Sequence, residues 1–423
     1  MDGRSLINLR EDVAGSVRSL GASTSAGAES GFAEVPELGV TRGIYADANA
    51  TAPPIPAVVE AVANAMRTTC GNAASAHAAG AAARRAVEEA RVRVASLLDG
   101  CFEEDITFTS GGTESNNAVL KHFDDAGAVF LTARIEHASV LRPLARADTE
   151  GRVVWLDVDG EGRIDPEGAR RAARSAPRAD RYVLAIQAAN GETGVVQPVD
   201  AVVAEIRYAL DPVYVLLDAA QAVGRRRLSL SDLDADAITF SAHKLHGPQG
   251  VGALVLANSD VSVRPMILGG GQERGLRSGT LNVPGIVGFG VAARTRRENF
   301  PSDLAAMGRV RDAFEGRLKD RLGGRVTFNG AGAERLANTS NARFAGVDGM
   351  RMLAHLDLRG VMASLGSACS SGKPEPSTTL LAMGLSPTEA FGSVRFSFSI
   401  LNGVEEVIMA ADVAADIVGG FPF

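Results

Sequence analysis

Between residues 105 and 257 the chain repeats one arrangement: a short apolar run, a polar turn, then a stretch with helical spacing. The runs are DITFTS, AVFLTA, RVVWLDV, YVLAIQAAN, VYVLLDAA, AITFSA and GALVLA. Unbroken apolar, β-branched runs read as strands covered on both faces, and the helical stretches between them supply the crossovers that parallel pairing needs. The alternation predicts an α/β fold with a mostly parallel central sheet flanked by helices. One flanking helix is plain in HAAGAAARRAVEEARVRVASLLDG, where Val87, Ala90, Val94, Leu97 and Leu98 share a face and Gly100 stops it.

After about residue 296 the pattern changes. LAAMGRVRDAFEGRLKDRL predicts a long amphipathic helix, and strands follow near TSNARFAG and VRFSFS, which reads as a smaller α+β domain. At the other end, residues 1–38 include GASTSAGAESGFAE and read as a flexible N-terminal extension, with a short helix around residues 5–20.

Composition narrows the partners. A length of 423 residues suits two domains, and a net charge of −7 gives a field that repels nucleic acid, so no direct nucleic-acid contact is expected. The run GRRRL at 224–228 reads as a solvated strand edge or loop rather than a phosphate track. Three cysteines exclude a disulfide framework and point to a reducing compartment. No apolar run approaches the roughly 20 residues of a membrane span, and the first forty residues lack a secretion signal. The expectation is a cytoplasmic protein without a membrane partner.

Ligands of open α/β sheets bind beyond the carboxyl ends of strands, and the polar residues of this chain gather there. In DITFTSGGTESNNAVL, Gly111 and Gly112 let backbone N–H groups approach a ligand, and the following helix offers its positive end. That is a phosphate cradle by mechanism; the plainer reading is a strand–helix turn capped by Thr113 or Ser115. Asp218 ends the apolar strand of VYVLLDAAQAVG, where a carboxylate needs a cation or a donor, or else serves only as a helix cap. Gln221 lies one short step further on. His137 follows AVFLTA, and a lone histidine there is more often a satisfied polar group than a catalyst.

ITFSAHKLHGPQGVGALVL carries Lys244 at the end of a buried strand, hemmed in by glycines. Burial lowers a lysine's affinity for protons and leaves a free amine able to form a Schiff base. Cys369, in MASLGSACSSG, lacks the apolar neighbours of a structural cysteine, whereas Cys70 and Cys101 fit an inert role. A Schiff-base lysine, a buried strand-end carboxylate and a phosphate cup together are a protein's share of pyridoxal phosphate chemistry. Neither a dinucleotide fingerprint nor a P-loop competes with that reading.

With these residues in place, the chain resembles the cysteine desulfurases of the class V aminotransferase family, in the iron–sulfur and nitrogen-fixation-type branch. The resemblance runs from about Tyr45 to Ser399 through YADANATAPP, GNAASAHAAG, TSGGTESNN, EHASV, NGETGVVQP, DAAQAVG, SAHKLHGPQGVG, GGGQERGLRSGTLN, GSACSSG and VRFSFS. It implies fold type I of the pyridoxal phosphate-dependent transferases. It also implies a large cofactor-binding domain over 57–295, with 39–56 and 296–423 forming the smaller α+β domain that carries the Cys369 loop.

By position, the resemblance makes Lys244 the lysine that carries pyridoxal 5'-phosphate and Asp218 the partner of its ring nitrogen. Gln221 would meet the phenolic oxygen, and His137 would stack on the ring and shuttle protons. Gly112, Thr113, Ser241 and His243 would hold the phosphate, and Thr280 would reach the phosphate of the neighbouring subunit in a homodimer with shared active sites. Arg395 matches the clamp on the substrate carboxylate, and Cys369 the thiol that accepts sulfur from L-cysteine for delivery to an acceptor protein. One position departs from the family: NGETG has Gly191 where a second asparagine is usual, and either Asn190, by a shift, or a water is expected to fill the lost substrate contact. A selenocysteine lyase, a cystine C–S lyase, an aminotransferase or a non-catalytic sulfur-relay subunit are the alternatives.

Overall fold

The computed structural model describes residues 43–257, 263–366 and 375–420. The N-terminal extension with its expected helix, and the loop bearing Cys369, lie outside the described residues.

The first strand, β1 (Ile44–Tyr45), precedes a run of seven that are the apolar segments picked out above: β2 (Ile106–Thr109), β3 (Val129–Ala133), β4 (Val153–Leu156), β5 (Tyr182–Gln187), β6 (Val213–Asp218), β7 (Ala237–Ser241) and β8 (Gly252–Leu256). They form one seven-stranded sheet in the order β2-β8-β7-β6-β5-β3-β4. Pairing is parallel throughout β4, β3, β5, β6 and β7, while β8 runs antiparallel to both β7 and β2. The carboxyl ends of β2, β3, β5, β6 and β7 therefore share one edge. β8 is the single reversed strand because the short loop after β7 leaves no length for a crossover.

Both faces of this sheet are covered, which is why its strands carry no polar alternation. Residues of β5 are buried at every position, as are those of β6. Helices Ala78–Ala95 and Val283–Glu298 pack beneath it; a Cβ on Gly290 would come within 2.7 Å of Ala90 Cα, so only glycine allows this approach. Phe289 bridges to the sheet by edge-on contacts with Phe108 and Phe240.

The later part of the chain builds a three-stranded antiparallel sheet from β9 (Val326–Phe328), β10 (Thr339–Phe344) and β12 (Ser393–Ser397), in the order β12-β10-β9. β11 (Val361–Met362) pairs in parallel with β1. The long helix expected near residue 300 spans Phe300–Leu322, and with Val404–Gly419 it covers a second core around Phe314, Phe396 and Phe398. Among the described residues, no helix is long and apolar enough to cross a membrane.

Candidate active site

Four of the parallel strand ends deliver the residues singled out in the sequence. Asp218 is the last residue of β6 and only 7% exposed. Its Oδ1 accepts the Ala220 N–H at 3.0 Å and its Oδ2 accepts from Asn116 Nδ2 at 2.8 Å. Asn116 is itself fixed: its carbonyl oxygen accepts the Thr239 hydroxyl at 2.7 Å, and its amide also donates to Ser139 Oγ at 2.9 Å. The carboxylate is thus held by neutral donors, and no cationic side chain pairs with it among the described residues.

His137 caps the short helix Ala138–Leu141 that follows β3. Its Nδ1 accepts the Ser139 N–H at 3.1 Å, which places the proton of the neutral ring on Nε2. Burial lowers the imidazole's affinity for a second proton; Asp218 opposes that effect and Lys244 adds to it.

Lys244 sits in the 3-10 turn Ala242–Leu245 directly after β7. Its Nζ donates to the carbonyl oxygens of Asn49 and Ala50. Burial first, then the guanidinium groups of Arg225 and Arg395, brings its amine from the ordinary 10.5 to about 7, against the pull of Asp218 and Asp47. Near neutrality a large fraction of such an amine is unprotonated and nucleophilic, which an exposed lysine is not. His243 is pushed down to about 4 by burial, with Lys244 and Arg225 adding to it, so it is neutral and free to donate one hydrogen bond.

The glycine turn expected to cradle a phosphate joins two strand ends. Helix Gly112–Asp125 begins at the turn after β2, and the Gly112 N–H donates to Ser241 Oγ at 2.8 Å, joining the ends of β2 and β7. Strand β8 presses against this turn: a Cβ on Gly252 would stand 2.6 Å from Gly111 Cα. Thr113 is exposed in the first turn of the helix, beside that N-terminus, and its carbonyl accepts from Asn117 Nδ2 at 2.8 Å.

Arg395 reaches the same edge from β12. Its guanidinium pairs with Asp47 Oδ1 at 2.6 Å and donates to the Gly191 carbonyl at 3.1 Å, while its buried Nε has no partner among the described residues. Gly191 leaves its side-chain position to Gln221: a Cβ there would meet Gln221 Nε2 at 3.1 Å. Asn190 is held within its own turn and against the turn after β3. Its Nδ2 donates to the Ile135 carbonyl at 3.1 Å, and its Oδ1 accepts from the backbone of Glu192 and Thr193. These bonds engage its Oδ1 and one of the two N–H donors of its Nδ2. Thr280 is exposed, and Cys369 falls outside the described residues.

Two further residues hold the site together. Asn49 donates through Nδ2 to the Gly191 carbonyl and to Thr339 Oγ1, and its Oδ1 accepts from Arg225 and Asn338. Its own carbonyl accepts from Gln221 as well as Lys244. The only sequence signal for it was its place inside YADANATAPP. Arg225 is the second, and it corrects the reading of GRRRL as a solvated run: its first arginine is 5% exposed and lies inside the site.

The aminotransferase class V profile matches residues 44–409. A cysteine desulfurase of Gluconacetobacter diazotrophicus is 40% identical over 380 residues, covering 89% of this chain and 93% of that protein. The cysteine desulfurase IscS of Dictyoglomus turgidum is 36% identical over 382 residues, covering 89% and 95%. Among solved structures, a NifS-like protein superposes with a TM-score of 0.81 at 32% identity, covering 89% of this chain and all of that one. The chain belongs to the aminotransferase class V family. Its relatives named here are cysteine desulfurases.

Proposed function

We propose that the chain is a pyridoxal phosphate-dependent cysteine desulfurase, which converts L-cysteine to L-alanine and leaves the sulfur on Cys369 as a persulfide. The observation that carries this reading is Lys244: an amine brought to about 7, at a strand end, facing Asp218 and Arg395. The residues present suit the cofactor's parts. A helix N-terminus beside Ser241 fits a phosphate, a donor-held Asp218 fits a pyridinium nitrogen, and a glycine turn lets the backbone approach.

When bound, pyridoxal phosphate supplies an aldehyde that captures amines and a ring that stores electrons. Lys244 would hold the cofactor through its amine and, once freed by substrate, take the Cα proton. Asp218 would keep the ring nitrogen protonated. Arg395 would grip the substrate carboxylate through two parallel hydrogen bonds, exchanging Asp47 for it. His137, neutral with its proton on Nε2, would stack on the ring and pass protons. Cys369, as thiolate, would attack the substrate sulfur: the Cβ–S bond breaks, an S–S bond forms, and Cβ gains a proton to give alanine.

The finer readings follow the same line. Gln221 faces the phenolic oxygen; Gly112, Thr113, Ser241 and His243 hold the phosphate. The enzyme is a homodimer in which Thr280 serves the partner's phosphate, a reading supported by exposed Met266, Ile267 and Leu268 in the same segment, the last 81% exposed. Residues 57–295 form the large domain and 39–56 with 296–423 the small one, supported by the two separate sheets and cores. The protein works in the cytoplasm and hands sulfur to an acceptor protein for iron–sulfur assembly, thiolation or a related sulfuration.

Alanine formation from L-cysteine tests the reading. Lys244→Ala should abolish it, and Cys369→Ser should keep cofactor binding but release no alanine. A Cys369→Ser enzyme that still makes alanine at the wild-type rate would favour a lyase or aminotransferase on the same scaffold.

A further inference from the structure

Arg225 is a buried cation with no carboxylate paired to it among the described residues. It follows Gln221 on the turn after β6, and its fork is fully engaged. One arm, NH1, donates to Asn49 Oδ1 at 3.0 Å and to Gln221 Oε1; the other, NH2, donates to the carbonyl oxygens of Ala48 at 3.3 Å and Lys244 at 3.1 Å. Every one of these acceptors is neutral. Burial, with Arg296 and Arg395 adding to it, lowers the guanidinium from its ordinary range to about 9, and no acid opposes this. Nearby Arg296, by contrast, is paired with Asp303 at 2.5 Å.

A buried unpaired charge is destabilising, and a lysine could not span both pairs of acceptors from one point charge. What the guanidinium does here is visible in its neighbours. It fixes the side chain of Gln221, which would meet the cofactor's phenolic oxygen, the side chain of Asn49, whose backbone carbonyl accepts from Lys244 Nζ, and the backbone of Lys244 itself. The charged groups facing the amine are Arg225, Arg395, Asp218 and Asp47, and the two nearby histidines, His137 and His243, are held neutral.

We propose that Arg225 is a positioning residue for the lysine site, locking Asn49, Gln221 and the Lys244 backbone with one guanidinium and placing a positive charge beside the amine. The proposal rests on reading Lys244 as the cofactor-bearing residue. The charge disfavours a second cation on Lys244, which keeps the amine nucleophilic near neutral pH. It is not a catalytic residue, because the groups it touches are the protein's own.

The test is the pH midpoint of Lys244 acylation in the apoenzyme, read by acetic anhydride labelling and peptide mass spectrometry, for wild type, Arg225→Met, Arg225→Gln and Arg225→Lys. Removing the charge should raise the midpoint by about one pH unit or more. Arg225→Lys should leave it with the wild type. Neutral variants that fold, by circular dichroism, and keep the wild-type midpoint overturn the proposal. Failure of all three variants to fold overturns it too, since the role is then purely structural. A wild-type enzyme that takes no cofactor on Lys244 after borohydride reduction sinks the broader reading instead, and leaves the amine midpoints to be scored on their own.

Discussion

Lys244 makes the stability of the cofactor-free protein depend on pH. Its amine titrates at 10.5 in an unfolded chain and at about 7 in the folded one. Between those values the unfolded chain binds the extra proton, so folding stability rises as the pH climbs from about 7 to 10.5, and below 7 the full penalty applies. Replacing the amine removes the penalty. The melting temperature of apo Lys244→Met should exceed that of the apo wild type at about pH 6, and the gap should narrow steadily toward about pH 10. A gap that stays constant across this window would place the lysine in contact with water.

At this scale the sequence was readable wherever chemistry followed an apolar run. Lys244, Asp218 and His137 each sit at a strand end that the run itself announces. Asn49 and Arg225 were not readable in the same way, because their roles are made by partners far away in the chain. Asn49 bonds Gly191 and Thr339, 142 and 290 residues distant. Arg225 looked like part of a basic surface run, and nothing local marks which arginine of GRRRL turns inward.

Among the elements, strand β8 carries the tightest constraint on the phosphate turn. A Cβ on Gly252 would sit 2.6 Å from Gly111 Cα and 2.7 Å from the Phe240 carbonyl oxygen, and both obstacles are backbone. The turn before helix Gly112–Asp125 would have to move away from Ser241. Overpacking of this kind costs about 1–3 kcal/mol. Gly252→Ala should therefore weaken binding of pyridoxal phosphate to the apoenzyme about tenfold, read by fluorescence titration, and lower the melting temperature as well. The seven strands of the large sheet were all legible, because doubly covered strands are apolar from end to end. The order of the strands was not, since it depends on crossovers whose lengths permit several topologies. The reversal of β8 follows only once the loop after β7 is seen to be short.

For the whole molecule, the proposed homodimer would hold two sites, each completed by Thr280 of the other copy. Mixed dimers separate this from a self-contained site. Pairing a Lys244→Ala chain with a Thr280→Val chain gathers both defects in one site and leaves the other with an intact lysine and an intact threonine. Such mixtures should recover activity well above that of either homodimer, and a threonine acting within its own subunit would give no recovery.

Beneath all of these lies one proposed covalent bond, between the Lys244 amine and the aldehyde of pyridoxal phosphate. Borohydride reduction of the purified enzyme, followed by peptide mapping, measures it directly. The account predicts the mass of reduced pyridoxal phosphate on the peptide containing Lys244 and on no other lysine. An unmodified Lys244 peptide from cofactor-saturated enzyme, or the adduct on a different lysine, would contradict it.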